Sequence, residues 1–392
     1  MRFLSAPLIY SAVGQVLENG LLVVDNGRII ELRDDLTDIP HEKIEFFDGI
    51  LCPGFVNAHC HLELSFLKNE LNEGQGLPGF ISEIVSKRNA DPERIEAAIE
   101  AADLEMEKAG IVAVGDISNG TDSIQVKQKS KLFYHTFVEV FDLTADRCPS
   151  AFQSGLYIQK QFSDAGLRST LAPHAPYSTS PELLDKLFLH SKQHHEFTTI
   201  HNQETATEDL MFAEDKGVLV ELLKGFDESF ATWGGNHSSS LDYTLSHFEK
   251  SGTLQLVHNT FATNDEVNLA LQRYPNLYWC ICARANQFIE KVNPPVELLS
   301  RLNCKLTIGT DSYASNWSLS ILDELKHISG FDDSISLEQL LISATINGAN
   351  FLGLQQQYGS FQVGKSPGVN FIANIDLRLK KLRNNSFVTK VC

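Results

Sequence analysis

Residues 54–65 read GFVNAHCHLELS, and they place two histidines at the end of a short apolar run. His59 and His61 are one residue apart, and in an extended segment such residues point to the same face. Two imidazoles on one face can bind one metal ion. The same spacing also arises by chance in a chain with 13 histidines. The choice between these interpretations depends on where the other histidines and carboxylates fall.

Seven further β-rich segments follow the first, and helical patterns separate them. We predict eight strands, at residues 53–59, 111–117, 132–140, 168–174, 197–201, 254–258, 277–282 and 305–310. The clearest helix lies between Asp91 and Gly110, with Pro92 in its first turn. Strands that alternate with helices predict an α/β fold, here a (β/α)8 TIM-like barrel of parallel strands. A doubly wound open sheet is the alternative.

The two ends of the chain differ in pattern from the middle. Residues 1–50 alternate apolar stretches with Asn-Gly and Asp-Gly turns, which are typical of β-hairpins. Residues 354–392 return to short strands and turns. We therefore expect both ends to form one small β-sandwich domain, beside a catalytic barrel that spans residues 51–353.

Composition and charge exclude several classes of partner. The chain has 392 residues, of which 43% are hydrophobic, enough for a large core. Its formal net charge is −18, whereas nucleic acids and anionic membranes bind basic surfaces. The seven cysteines are an odd number and too sparse for a disulfide scaffold. We expect a cytoplasmic protein that binds neither nucleic acid nor membrane.

The ends of the predicted strands share a set of metal-binding residue types. His59 and His61 close the first strand, His201 the fifth and His258 the sixth, and Asp311 follows the eighth. In a barrel, the carboxyl ends of the strands meet at one rim, where catalytic residues lie. Neutral imidazoles with one carboxylate suit one divalent ion, with Zn²⁺ as the first choice and Fe²⁺ as the alternative.

Such an ion implies hydrolytic chemistry. It lowers the pKa of bound water from about 15.7 to about 7, so hydroxide can attack an sp² carbon at neutral pH. Glu204, three residues after His201, is a suitable carboxylate to carry protons. Taken singly, His201 and His258 could be ordinary strand-end histidines, and Asp311 could cap the next helix. Their joint occurrence at four strand ends favours a metal site.

Four segments carry a resemblance to a known family. PGFVNAHCHLE (53–63), HNQE (201–204), LVHN (256–259) and GTDSYASN (309–316) resemble signature segments of the amidohydrolase superfamily. The match is to its cytosine/adenosine deaminase and chlorohydrolase-like branch, and it extends over nearly the whole chain. The resemblance implies that one metal ion is bound by His59, His61, His201 and Asp311.

The resemblance also implies catalytic roles. Glu204 matches the proton-shuttling glutamate of the family, and His258 matches the histidine that orients the water or polarises the substrate. Asp311 would also take the proton of the water. The fourth strand ends in APHAPYS (172–178), without the lysine that bridges two metals in other members, so a mononuclear centre is implied.

Three further residues are candidate substrate contacts. In similar nucleoside-type deaminases a histidine at the position of His174 contacts the substrate, although it could also cap its loop. Glu63 either binds substrate or supports the metal ligands. Arg284 stands in CARAN (282–286), where relatives usually carry Pro-x-Ser-Asn, and it binds either a substrate group or a surface carboxylate. Residues 67–85 are expected to form the lid of the pocket.

The resemblance implies a hydrolase that acts on carbon–nitrogen bonds other than peptide bonds. We expect a deaminase that releases ammonia from a small amino-substituted heterocycle: an aminopurine, a nucleoside-like or futalosine-type derivative, or a pterin. A cyclic amide hydrolase, or one with another leaving group, is the alternative. A non-catalytic scaffold with the same fold is the remote alternative. Family habit implies a homodimer.

Overall fold

The computed structural model describes residues 1–14 and 16–392 of the chain. Its strands are β1 (Arg2–Ser5), β2 (Leu8–Ile9), β3 (Leu17–Glu18), β4 (Leu21–Asp25), β5 (Arg28–Arg33), β6 (Ile44–Phe46), β7 (Gly49–Pro53), β8 (Phe55–Cys60), β9 (Ile111–Ser118), β10 (Phe133–Val140), β11 (Arg168–Pro173), β12 (Thr198–Asn202), β13 (Leu254–His258), β14 (Leu277–Ile281), β15 (Lys305–Ile308), β16 (Val369–Ala373) and β17 (Phe387–Lys390).

The α-helices are α1 (Gly76–Lys87), α2 (Pro92–Lys108), α3 (Ile124–Lys129), α4 (Cys148–Asp164), α5 (Pro181–His194), α6 (Ala206–Glu214), α7 (Val218–Phe226), α8 (Ser240–His247), α9 (Asn264–Arg273), α10 (Ala283–Ile289), α11 (Val296–Arg301), α12 (Ile321–Phe331), α13 (Leu337–Ala344) and α14 (Ile346–Phe351). In the described part of the chain, none of them has both the length and the apolar character that crossing a membrane requires.

Two parallel four-stranded sheets occupy the middle of the chain. Their spatial orders are β11-β10-β9-β8 and β12-β13-β14-β15. Every residue of β8 and β9 is buried, as expected for parallel strands that are covered on both faces. These eight strands lie within two residues of the eight predicted ones. One boundary was wrong: Pro53 ends β7, and the first parallel strand begins at Phe55, because β7 pairs with a different sheet.

The two parallel sheets are joined at both edges by backbone hydrogen bonds. At one edge, the carbonyl of His59 accepts from the N–H of Thr310 at 3.0 Å and from that of Asp311 at 3.1 Å. At the other edge, the N–H of His201 donates to the carbonyl of His174 at 2.9 Å. Both links lie at the carboxyl ends of the strands, so the sequence-predicted histidines and Asp311 are brought to one side of the sheets.

The chain ends build two further sheets. One has the order β5-β4-β1-β6, and the other, β17-β16-β7-β2-β3, combines strands from both ends of the chain. The β4–β5 hairpin turns at Asn26 and Gly27, where φ is +49° and +78°. Positive φ at both central residues is the geometry that Asn-Gly favours in a tight hairpin. The predicted association of the first 50 residues with the last 39 is therefore present as a shared sheet.

Helix α2 follows the signals that its sequence carries. The side chain of Asp91, the N-cap, accepts a hydrogen bond from the N–H of Glu93 at 2.9 Å, and Pro92 occupies the first helical position. Gly110, two residues beyond the helix end, has a φ of +80°, which glycine adopts without steric cost. Local capping therefore determines both ends of this helix.

A buried ion pair supports the turn that follows His61. Asp116, on β9, accepts a hydrogen bond from the N–H of Leu62 at 2.8 Å through Oδ1. Its Oδ2 lies 2.6 Å from Nζ of Lys127, on α3, and both side chains are fully buried. Lys127 also donates to Oγ1 of Thr136 at 2.8 Å. The ion pair is thus buried, and each of its members makes a further hydrogen bond: Asp116 to the backbone of Leu62 and Lys127 to the hydroxyl of Thr136.

Replacing Lys127 with methionine is expected to lower the free energy of unfolding by about 3–5 kcal/mol, because Asp116 is left as a buried charge without its cation. Urea denaturation measures this change. The matched control is Lys216→Met, which removes an ammonium from an exposed pair with Glu214 and should leave the midpoint nearly unchanged. A midpoint for Lys127→Met that equals the control's would contradict the prediction.

Candidate metal centre and cavity

Four buried side chains converge at the carboxyl ends of the parallel strands. They are His59, His61, His201 and Asp311, and one ligand atom of each lies within 4.8 Å of the others. Nε2 of His61 is 3.2 Å from Nε2 of His59 and 3.2 Å from Nε2 of His201. Oδ1 of Asp311 is 3.6 Å from His59 Nε2 and 3.4 Å from His61 Nε2. The structure therefore brings together all four residues that the resemblance implied as ligands.

Burial favours the neutral, metal-binding form of His61 and His201. Burial lowers the pKa of His61 to about 4 and lowers that of His201 well below its ordinary value. Nδ1 of His201 donates to the carbonyl of His174 at 2.7 Å, which leaves the lone pair of Nε2 facing the cluster. Burial alone would raise the pKa of Asp311, but the adjacent His59 and His61 hold it below its ordinary value.

The distances fit one tetrahedrally coordinated ion. Zinc–ligand bonds of about 2.0–2.1 Å place neighbouring donor atoms of a tetrahedral site about 3.3–3.4 Å apart. Four of the six separations are 3.2–3.6 Å, and the other two are within 4.8 Å. Three ring nitrogens this close cannot all be satisfied by hydrogen bonds among themselves, whereas a central cation satisfies every lone pair. The cluster is therefore a candidate site for one divalent metal ion.

A second group of potential ligands shares His201 with the first. It consists of Glu139, His174 and His201, again within 4.8 Å of one another. His201 Nδ1, however, already donates to the His174 carbonyl, and that nitrogen is not free to bind a second ion while Nε2 binds the first. The donor set supports a single ion, in agreement with the mononuclear centre that the resemblance implied.

Glu204 and His258 flank the cluster and face each other. Oε1 of Glu204 lies 3.6 Å from Nε2 of His258, and both side chains are buried. Burial raises the pKa of Glu204 well above its ordinary value, and the carboxylates of Asp311 and Glu208 raise it further. Burial also lowers the pKa of His258 to about 4. Burial thus favours the protonated form of Glu204 and the neutral form of the adjacent His258.

The backbone that carries these groups is unusual. Gln203, His258, Asn259 and Asp311 all have φ between +48° and +72°, a region that side-chain-bearing residues seldom adopt. The neighbouring strand holds one of them in place, because the N–H of Asn259 donates to the carbonyl of Asn202 at 2.9 Å. Backbone strain of this kind concentrates at functional sites, where surrounding structure compensates for it.

A cavity of about 400 Å³ opens beside the cluster. His61, His201, Glu204, His258 and Asp311 lie at its inner end. Helices α1 and α7 contribute an apolar part of the wall, formed by Leu77, Phe80, Ile81, Ile84, Leu223 and Phe226, and the charged residues Arg88, Asp142, Arg147 and Asp227 also line the cavity. Helix α1 belongs to the segment predicted as the lid, so that segment does contribute to the pocket wall.

Of the three predicted substrate contacts, only His174 lines the cavity. Its Nδ1 lies 2.5 Å from the hydroxyl oxygen of Ser178, which fixes the orientation of the ring. The carboxylate of Glu63 is directed elsewhere and accepts from the backbone N–H groups of Asn119 at 2.9 Å and Gly120 at 3.2 Å. Glu63 therefore links the turn that follows His59 and His61 to the loop after β9 by hydrogen bonds.

Arg284 is also engaged within the protein. Its guanidinium donates to the hydroxyl of Ser318 at 2.6 Å and lies 3.6 Å from Oδ2 of Asp323. The indole ring of Trp317 covers it, with 5.2 Å between the guanidinium carbon and the ring centroid. Arg284 is thus bound to the loop after Asp311. Its side chain does not line the cavity.

Glu139, a polar residue that lines the cavity, was missed by the sequence analysis. Glu139, at the end of β10, accepts from Nδ2 of Asn119 at 2.8 Å and lies 3.6 Å from Nδ1 of His201. It follows the same strand-end rule as the histidines, so its position in FVEV was a usable signal. The residues of the apolar wall were harder to identify from the sequence, because apolar side chains of this kind could equally have packed into a core.

Comparison with known proteins identifies relatives of this architecture. The model of the Amidohydrolase family matches residues 50–390. An adenosine deaminase of Helicobacter pylori is 29% identical over 348 residues, which cover 87% of this chain and 84% of that protein.

Solved structures give the same result. Helicobacter pylori aminofutalosine deaminase, in complex with methylthio-coformycin, has a TM-score of 0.80 and 26% identity, covering 94% of this chain and 91% of that one. An adenosine deaminase from Xanthomonas campestris with bound zinc shares the fold at a TM-score of 0.74, with 21% identity and 97% and 87% coverage. The resemblance inferred from the sequence is confirmed, and the chain belongs to the amidohydrolase family.

Proposed function

We propose that this protein is a metal-dependent deaminase that hydrolyses the C–NH₂ bond of an aminopurine nucleoside. The observation that carries the proposal is the pairing of a three-histidine, one-aspartate cluster with the buried carboxyl group of Glu204 at the inner end of one cavity. The metal is Zn²⁺, held by His59, His61, His201 and Asp311. This assignment is supported by the nitrogen and oxygen donor set and by its tetrahedral spacing.

The ion supplies Lewis acidity and lowers the pKa of the attacking water. Asp311 accepts a proton from that water as its oxygen adds to the carbon that bears the amino group. Glu204, whose pKa is raised by burial, donates its proton to the adjacent ring nitrogen. The proton taken from water then passes to the leaving amino group, and the hydroxyl proton of the adduct returns to Glu204 as the carbonyl forms, so that water and substrate yield ammonia and a carbonyl product.

His258 orients the attacking water. Within the described part of the chain its buried Nε2 has no hydrogen-bond partner. Nδ1 lies 3.4 Å from Oδ1 of Asn286, which orients the ring. Because Oδ1 of Asn286 can only accept, Nδ1 carries the proton of the neutral ring, and Nε2 presents a lone pair that can accept a hydrogen bond from the attacking water.

The cavity supports a nucleoside in preference to a bare base. Its polar inner end suits an aminopurine ring, and His174 is placed to contact that ring or its sugar. The apolar wall of α1 and α7 remains for a group attached beyond the sugar. The Helicobacter pylori relatives are named for adenosine and for aminofutalosine, which is consistent with this substrate class.

Ammonia release from zinc-loaded protein tests the function. The panel contains adenosine, 5′-deoxyadenosine, 5′-methylthioadenosine, aminodeoxyfutalosine, a pterin and two cyclic amides. We expect ammonia from at least one purine nucleoside, with the highest kcat/KM for one that carries an apolar 5′ group. Ring opening of a cyclic amide without ammonia release from any nucleoside would overturn the proposal in favour of amide hydrolysis.

The architecture that we propose completes the sequence-based prediction. The two parallel sheets form one closed (β/α)8 barrel at residues 51–353, which is supported by the hydrogen bonds that join them at both edges. Residues 1–50 and 354–392 form a β-sandwich, which is supported by a buried apolar cluster drawn from both end sheets: Leu4, Ala6, Ile9, Leu22, Val24, Ile29, Leu51, Phe361 and Val369. A homodimer and a cytoplasmic location stay predictions.

A further inference from the structure

A second buried carboxylate lies four residues after Glu204 and has no part in the reaction proposed above. Glu208, in the first turn of α6, is fully buried, and both of its oxygens are engaged. Oε1 accepts from the N–H of Gln203 and Oε2 from the N–H of Glu204, each at 3.0 Å. The hydroxyl of Ser240 also donates to Oε1.

The backbone that Glu208 holds is one that needs support. Gln203 has a φ of +48°, in the left-handed region that a residue with a side chain adopts at a steric cost. In this turn two successive N–H groups point to the same side, which makes a concave site for an anion. A carboxylate satisfies both groups at once, and without it two buried donors would have no partner.

This contact differs from an ordinary helix cap. Glu208 occupies the third position of α6, from which an acidic side chain usually reaches back to the N–H of the N-cap residue. The N-cap is Thr205, and its side chain makes no capping hydrogen bond. Glu208 reaches further back, to residues 203 and 204, and so its carboxylate is bonded to the loop that carries the proton donor.

The loop is also tied to a second helix. Ser240, at the start of α8, donates to Glu208 and accepts from Nδ2 of Asn202 at 2.9 Å. Asn202 directly follows the proposed ligand His201. The hydroxyl of Ser240 therefore links the Glu208 carboxylate to the end of β12, and α6 and α8 together fix residues 202–204.

We propose that Glu208 is a positioning residue for proton transfer: it holds the backbone of residues 203 and 204 so that the Glu204 carboxyl group stays directed at the reacting ring. The inference rests on the proposed function, in which Glu204 carries the proton. Its role is distinct from that of a metal ligand, because Glu208 contacts the loop after His201 and none of the four donor atoms.

The first test is Glu208→Gln. The amide nitrogen of glutamine cannot accept an N–H, so one of the two backbone groups loses its partner while side-chain volume is kept. A displacement of about 1 Å at a reacting group costs about 10²-fold in rate, and we expect kcat to fall about 10- to 100-fold. KM should change by less than about threefold, and zinc content should stay at one ion per chain, since the ligands and cavity wall are unaltered.

A double variant separates positioning from general damage. If Glu208 acts through Glu204, the Glu204→Gln/Glu208→Gln protein should be no slower than Glu204→Gln alone. Losses that multiply would overturn the proposal. The matched control is Asp209→Asn: Asp209 accepts from the N–H of Ser240 at 2.9 Å and does not contact the backbone of residues 203–204. Its kcat should stay within about threefold of the unaltered protein.

Hydrogen exchange gives a readout that needs no substrate. The backbone amides of Gln203 and Glu204 should exchange at least about tenfold faster in Glu208→Gln, and unchanged protection would overturn the proposal. If Glu208→Gln does not fold, Ser240→Ala removes the hydroxyl that donates to Glu208 and accepts from Asn202, leaves the Glu208 carboxylate in place, and should accelerate the same two amides. A protein that releases no ammonia from any nucleoside but shows this exchange pattern would refute the proposed function and leave the contact established.

Discussion

The Glu204→Gln protein should retain one zinc ion per chain and lose about 10²- to 10⁴-fold in kcat, the range that general acid–base catalysis usually contributes. Glutamine has nearly the same shape as a protonated glutamate but no proton to give to a ring nitrogen. Because Glu204 is outside the four-residue donor cluster, the change leaves the proposed ligands in place. Steady-state ammonia release and metal analysis of the same preparation measure both quantities.

The matched control for this variant is Glu214→Gln. Glu214 ends α6, the helix that follows Glu204, but its side chain is half exposed and pairs only with Lys216. It should have the kcat of the unaltered protein. Full activity in Glu204→Gln would remove Glu204 from proton transfer, and loss of zinc would mean that the carboxylate supports the metal centre instead.

Replacing His201 with alanine should empty the metal site. Nε2 of His201 is one of three convergent ring nitrogens, and the alanine variant keeps only two ring nitrogens and one carboxylate of the four donors. Loss of a Lewis acid worth several kcal/mol corresponds to a loss of at least about 10³-fold in kcat/KM. Zinc content after dialysis against a weak chelator and ammonia release at saturating substrate are the measurements.

His247→Ala is the control for this second variant. His247 is on α8, where Nδ1 pairs with Asp185 at 2.7 Å, and it does not line the cavity. It should keep zinc and activity. An His201→Ala protein that binds zinc as tightly as the control would show that three of the proposed ligands suffice and that His201 has another role.

Local patterns predicted the parallel strands well because each is a short apolar run bounded by turns. The predicted start of the first parallel strand at Pro53 was wrong because this part of the chain pairs with a distant strand. Residues Gly49–Pro53 pair with Val369–Ala373, more than 300 positions away, so they belong to the sheet of the chain ends. Nothing in the local sequence distinguishes a strand that continues through Pro53 from two strands in different sheets.

In the candidate site, too, some residues could be predicted from local patterns, whereas the roles of others depend on long-range packing. His59, His61, His201 and Asp311 were found because strand ends meet at one rim, a rule that needs only strand positions. Glu63 and Arg284 remained ambiguous because their roles depend on what stands opposite them. The folded chain puts backbone N–H groups of residues 119–120 against Glu63 and puts Ser318 and Asp323 against Arg284. Such partners are set by packing between distant segments.

The hydrogen bonds from Thr310 and Asp311 to the carbonyl of His59 join the first parallel strand to the end of the last one, and this has a consequence for biosynthesis. The proposed donor set combines the first parallel strand with the segment that follows the last one. A nascent chain that still lacks Asp311 holds at most three of the four donors, and a long loop must close before the fourth joins them. The complete set of four donors therefore forms only after residue 311 has been synthesised and the two parallel sheets have met at this edge.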